Sequence, residues 1–475
     1  MKKKLIGALL CVSMVASMLT GCGGNNAANN ATTNNATTDD AATDDAATDD
    51  AADDAADDTA SAEGGKVYYL NFKPEVDEAW QAIAAEYTAA TGTEVKVVTA
   101  ASGTYEETLM SEIAKEDAPT LFQINGPVGY QNWKDYTLDL SDTDLYASLS
   151  DQSLAVTGED GGVYGIPYTI EGYGIIYNDA IMQAYFATEG AKAASVDEIN
   201  NFAKLKEVVE DMTAKKDELG IEGVFASTSL LPGEDWRWQT HTANLPVYYE
   251  FQDKGVSDAD AIEFTHAENF KNIFDLYINN SCTAPGLLTS KDVAASMAEF
   301  ALGQVAMVQN GNWAWGQIAD VDGNVVKEED CKFMPIYTGE AGEENQGLCI
   351  GTENYWSINS NASEADIQAT KDFVNWMISS DEGKAHMVND LGNTAPFTTF
   401  SDDEKPSDPL AKSMLASMES GKTAVSWAFT VFPSQAFKDD FGSALGEYCN
   451  GSMTWDDVVN TVVTRWAEEK AATAE

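Results

Sequence analysis

Trp236-Arg237-Trp238, with His241 close behind, follows Pro232-Gly233 in a stretch of loop character. Rings left exposed in a loop forgo the benefit of burial unless a ligand or another part of the fold covers them, and both readings stay open here. Trp313 lies in Asn310-Gly311-Asn312-Trp313-Ala314-Trp315, and Trp427 and Phe437 offer rings near the C-terminus. Flat apolar faces beside amides and charges, such as Gln123, Asn125, Lys73 and Glu171, suit reversible recognition of a molecule that has both apolar faces and hydrogen-bonding groups.

Bond-breaking chemistry has no such support. The three histidines, His241, His266 and His386, fall in no metal-ligand spacing. Neither a metal nor a cofactor is expected. There is no Gly-x-Ser-x-Gly elbow. Gly421-Lys422-Thr423 has the ending of a phosphate loop, but the earlier glycine position is Ala416, so Lys422 reads as the cap of a turn. Asp320-Val321-Asp322-Gly323-Asn324 begins like a calcium loop, yet its sixth residue is Val325 and its twelfth Cys331, and a hairpin turn is the better reading. With 78 acidic residues, a carboxylate pair at glycosidase separation arises by chance, so a glycan-degrading enzyme stays an alternative without a positive sign.

The chain that must position these residues has 475 residues, 44% of them apolar, enough for more than one core. Its net charge is −51, and removing the three lysines of residues 2–4 and the 11 acidic residues between Gly23 and Gly65 still leaves −43. Such a body repels phosphate backbones, and nucleic-acid binding is not expected. Residues 1–21 read as a secretory signal: Lys2 to Lys4, then an apolar run over 5–19 too short to span a bilayer comfortably. Leu19-Thr20-Gly21-Cys22 resembles the bacterial lipoprotein box, which makes Cys22 the expected lipid site. Residues 22–65 are Asn-, Ala-, Thr- and Asp-rich without Leu, aromatic or basic residues, and read as a solvated tether. Cys282, Cys331, Cys349 and Cys449 remain, either paired or as free thiols.

Beyond the tether, strand-like residues 66–72 lead into helical spacing at Val76, Trp80, Ile83 and Tyr87, stopped by Gly92. A strand over 94–99, a helix carrying Tyr105, Leu109 and Ile113, and a strand over 120–124 follow. The β-α-β-α-β order predicts a parallel sheet with ligand loops at its carboxyl ends, at 71–73, 101–104 and 123–126. A second set begins past Asn178, with a helix over 202–219, a strand at 223–226, and helices marked by Phe270, Phe274 and Tyr277, by Phe373, Val374 and Trp376, and by Trp455, Val458, Val462 and Trp466. This is material for two α/β lobes.

Tyr164-Gly165-Ile166-Pro167, followed by Tyr168-Thr169-Ile170-Glu171-Gly172-Tyr173-Gly174-Ile175-Ile176-Tyr177-Asn178, resembles the interlobe crossing of bacterial solute-binding proteins for sugar ABC transporters. Residues 303–315 are similar to a stretch of the maltose-binding protein family, and Asn393-Thr394-Ala395-Pro396 also fits. The resemblance implies a periplasmic-binding-protein-like α/β fold with a hinge, closing on carbohydrate that a permease then takes up. It implies a first lobe from 66–172 and 303–340, a second from 173–302 and 341–475, and a monomer lipid-anchored on the outer face of the membrane. Carried over by position, Glu171 hydrogen-bonds sugar hydroxyls and Trp313 stacks on a sugar ring. Tyr173, Trp236, Arg237, Trp238, Asn125, Gln123, Lys73, Trp427 and Phe437 are the further binding candidates. The pattern departs from the maltose type at Gly126-Pro127, where an Asp-Arg pair is usual, so malto-oligosaccharide is the best guess within a wider oligosaccharide class. A surface sensor or adhesin on the same fold is the other alternative.

Overall fold

A computed structural model of the chain describes residues 64–101, 103–401 and 403–473, all within one unit, Ala60–Glu475. The expected signal, Cys22 and nearly all of the tether lie outside the described residues. The chain lays down β1 (Val67–Asn71), β2 (Val95–Thr99), β3 (Leu121–Ile124), β4 (Val156–Thr157) and β5 (Val163–Pro167) before β6 (Glu171–Asn178) opens a second sheet. That sheet continues with β7 (Gly223–Phe225), β8 (Val305–Gly311), β9 (Cys331–Met334) and β10 (Gln346–Gly351). β11 (Tyr355–Ile358) returns to the first sheet and β12 (Thr423–Val425) completes the second. The strand orders are β2-β1-β3-β11-β5-β4 and β12-β10-β6-β8-β7, with β9 also paired to β6.

The start of the first lobe follows its pattern. β1 pairs in parallel with β2 and β3, and the helices Asp77–Thr91 and Tyr105–Ile113 supply the crossovers. Gly92, at φ 80°, ends the first helix in the left-handed conformation that glycine adopts without a Cβ penalty. Val67, Tyr69, Leu121 and Trp356 pack on one face of the sheet, and Leu70, Phe122, Ile124 and Leu109 on the other. Both faces are covered, which is why β1 is buried at every position. Trp80 is core, as its helical spacing implies.

The route of the chain differs from expectation in two respects, over 303–340 and over the first part of 341–475. Residues 303–340, read as a return to the first lobe, supply β8 and β9, and both pair with β6 in the second sheet. The return is made by β11, antiparallel to β3 and β5, and by the helix Glu364–Ser379, whose Phe373 and Met377 join the first core. Short apolar strands such as Val305–Gly311 carry no local mark of which sheet they join. The chain thus passes between the sheets at 168–170, at 352–354 and again after Phe397, before Leu410 enters the second lobe's core. The passages lie side by side: the Tyr168 amide donates to the Asn354 carbonyl at 3.2 Å and the Ile170 amide to the Thr394 carbonyl at 2.8 Å. The four later cysteines are free thiols.

Candidate ligand-binding cleft

Glu171 opens β6 directly after the first passage, and its carboxylate is engaged on both oxygens. Lys73, from the loop after β1, forms an ion pair with Oε1, and the Asn354 amide, from the second passage, donates to Oε2 at 2.6 Å. The Lys73 ammonium lies 5.6 Å from the centre of the Trp313 ring, within cation–π range. Asn312 ties the two strands that carry these groups: its amide donates to the Gly172 carbonyl at 2.9 Å, and its Oδ1 accepts from the Gly172 amide at 2.9 Å.

Trp313 folds back over Gly311 so closely that a Cβ on Gly311 would stand 2.2 Å from the ring. Gly311→Ala is therefore expected to push the ring off its seat, or to cost ~1–3 kcal/mol if the ring holds. A shifted tryptophan emission spectrum or a lowered unfolding midpoint reports which. Neither change would mean that the ring does not rest on this glycine.

Around Trp313 the second lobe assembles a group of rings. Arg237–Thr242 form a π-helical turn, closed by the Ala243 amide donating to the Trp238 carbonyl at 3.0 Å. Such turns hold one more residue than an α-turn and recur at functional sites. This one directs Trp238 into the core while Trp236 and His241 face Trp313, at centroid distances of 6.1 and 5.5 Å. His241 stacks flat on Tyr173 at 4.3 Å, and the Tyr173 hydroxyl donates to the His241 carbonyl at 2.9 Å. Trp427 and Phe429 close the group, lying 5.6 and 6.5 Å from Tyr173. Asn244 holds their loop, donating to the Ser426 carbonyl and accepting from the Phe429 amide, both at 3.1 Å.

The polar edges of this group are buried and have no hydrogen-bond partner: His241 Nδ1, Trp427 Nε1, and Nε and Nη2 of Arg237. Burial, followed by the charges of Arg237, Lys438 and Lys73, pushes the His241 pKa well below its usual value and keeps the ring neutral. Nearby, a cavity of about 50 Å³ lies between Glu106, Asn125 and Asn132 of the first lobe and Phe429, Thr430 and Lys438 of the second. Glu353, on the second passage, completes its lining, and Asn125 Oδ1 is buried and unpartnered. The lobes approach closely beside it, where a Cβ on Gly126 would stand 3.2 Å from Thr430.

Residues 82–413 match the sequence profile of the bacterial extracellular solute-binding proteins. The chain belongs to that family. No curated protein matches it. Among solved structures, the chain is similar to RafE in complex with raffinose (TM-score 0.65, 17% identity, 85% of this chain and 99% of that one). It is also similar to a chitin oligosaccharide binding protein (0.68, 19%, 86% and 100%) and to maltose-bound MalE3 of T. maritima (0.62, 15%, 84% and 98%). These likenesses establish the shared two-lobed fold.

In this solute-binding protein, Glu171, Lys73, Trp313, Tyr173, Trp236, Arg237 and Trp427 come together, with Asn125 in the neighbouring cavity. Three expected residues do not join them. Trp238 is 1% exposed, donates from Nε1 to the Thr228 carbonyl and packs edge-on against Phe274 and Tyr277. Phe437 lies in the second lobe's core against Phe432 and Trp466. Gln123 is fully buried, its Oε1 accepting from the Tyr69 hydroxyl and the Phe72 amide and its Nε2 donating to the Tyr168 hydroxyl. It fastens strand ends from a fully buried position, away from the ring group. Asn354, Glu353, Phe429 and Lys438 join the site without a motif to announce them; the polar step Thr352-Glu353-Asn354 between two apolar strands is the local signal for the first two alone.

Proposed function

We propose that the protein is the extracellular receptor of an ABC importer, closing on an oligosaccharide between its lobes and delivering it to a permease without chemical change. The observation that carries this reading is the ring group of Tyr173, Trp236, Trp313, Trp427 and Phe429, with unpartnered polar edges on His241, Trp427 and Arg237. A sugar has C–H faces that pack on such rings and hydroxyls that satisfy such edges. The fold is shared with proteins whose structures hold raffinose and maltose. Among neutral series, malto-oligosaccharides are the first to test, on the sequence resemblance. Cys22 as lipid anchor and residues 22–65 as tether place the receptor on the outer membrane face, and no described helix is long and apolar enough to cross a membrane.

Calorimetric titration with mono- and oligosaccharides, with reducing ends followed in parallel, tests this function. Saturable binding of one linkage series is expected, without new reducing ends. Trp313→Ala should weaken it by ~1–3 kcal/mol, the usual contribution of a stacked aromatic platform. Silence across the panel would remove the sugar reading, and released product would replace the receptor by an enzyme.

A further inference from the structure

Arg237 has no exposed surface and forms no ion pair among the described residues. Its one hydrogen bond, from Nη1 to the Glu234 carbonyl, is long at 3.4 Å, and Nε and Nη2 have none. Its guanidinium carbon stands 3.8 Å from the centre of the Trp236 ring, so the charge lies against the ring group of the cleft. Lys73, by contrast, has Glu171 as its partner.

Behind the π-turn, where Trp238 meets Thr228 and Tyr277, further polar groups are unspent. Gln309, 2% exposed on β8, has no partner for either its amide nitrogen or its amide oxygen, and Ser227 Oγ has none. Gln309 borders the Tyr277 phenol. The Gln309 backbone amide donates to its oxygen at 3.0 Å, and Thr228, beside Ser227 in sequence, hydrogen-bonds to it. A guanidinium in this setting offers two adjacent N–H groups in a planar fork, the arrangement that meets both oxygens of a carboxylate.

We propose that the ligand of this cleft is an acidic oligosaccharide, one bearing a uronic-acid carboxylate, and that Arg237 is the residue that receives that carboxylate. The inference rests on the reading of the cleft as an oligosaccharide site and adds a charge to it. Neutral hydroxyls satisfy the donors but leave a buried charge uncompensated, whereas a carboxylate satisfies both. Burial, only partly offset by Glu234 and Glu75, pushes the guanidinium down to about 9, the sign of a cation lacking a counter-ion.

The test titrates the purified protein with matched pairs: oligogalacturonate against its methyl ester, and glucuronate-substituted xylo-oligosaccharide against the unsubstituted chain, with malto-oligosaccharides as a neutral reference. At least one acid is expected to bind ~10-fold or more tightly than its neutral twin, and Arg237→Gln is expected to abolish that acid-over-neutral ratio. Arg237→Lys, which keeps charge but not the fork, should retain part of it. Because Arg237→Gln removes a buried charge without a partner, its unfolding temperature should not fall. Equal binding of acid and neutral twins overturns the inference and leaves the oligosaccharide reading standing. Acid preference that persists in Arg237→Gln overturns the role of Arg237. Absence of binding by every sugar, acidic or neutral, removes both.

Discussion

Lys73→Met is expected to lower the stability of the fold by ~3–5 kcal/mol, and adding Glu171→Gln to recover most of the loss. The side chains of this ion pair are only 13% and 5% exposed, so neither charge has water to fall back on. Without the ammonium, the Glu171 carboxylate keeps the Asn354 amide at 2.6 Å but loses its counter-charge. Removing one partner of a buried pair leaves an uncompensated charge; removing both does not. Burial pushes the Lys73 pKa down, but Glu171, Glu75 and Glu353 outweigh it and hold the ammonium above its usual 10.5. The stabilisation is thus fully present below that pH and lost only as pH rises through the raised value, so the cost is undiminished at neutrality. Urea unfolding of the two single variants and the double variant measures it. A loss below ~1 kcal/mol for Lys73→Met would place the pair among ordinary surface bridges. The pair joins the first lobe's loop to the start of β6, so a large loss also means that the passage is held electrostatically.

What could be read from the sequence follows from the range of the forces involved. The β-α-β-α-β start depends on hydrophobic periodicity and a glycine stop, both local, and Val67–Asn71, Asp77–Thr91 and Val95–Thr99 appear where the pattern puts them. Trp313 and Glu171 were reachable through motifs with fixed spacing. Sheet membership of β8 was not, because Val305–Gly311 has the same apolar character whether it pairs with β6 or with a strand of the first lobe. Trp236 and Trp238 are two residues apart and of one type, yet a π-turn sends one toward the cleft and the other to Phe274. Gln123 stands at a strand end where ligand loops begin, but three nearby polar groups claim its amide first. Lys438, on the helix Gln435–Cys449, reaches the cleft only through the packing of that helix against the π-turn, which no window of sequence contains.

Glu353→Gln is expected to flatten most of the pH dependence of stability between pH 4.5 and 7. Burial pushes this carboxyl up to about 7; Lys438 and Lys73 pull it down and Glu171 adds to the rise. In that interval the folded protein keeps a proton that the unfolded chain releases near its ordinary value of 4.5. Fewer protons bound in the unfolded state mean that stability falls as pH rises, by ~1.4 kcal/mol per unit and roughly 3 kcal/mol in all, and levels off above pH 7. Glutamine is neutral throughout, so the variant should match the wild type near pH 5 and exceed it near pH 8. Asp235, pushed up to about 6 by burial, titrates in the same sense and leaves a residual slope. Parallel pH profiles for variant and wild type would show that Glu353 is ionised in the folded protein at all these pH values. The position of Glu353 gives the proton a use: lining the cavity between Asn125 and Lys438, it is a hydrogen-bond donor when neutral and only an acceptor when charged. Ligand affinity in Glu353→Gln should then resemble that of the wild type at low pH, linking the stability profile to the binding profile through one carboxyl group.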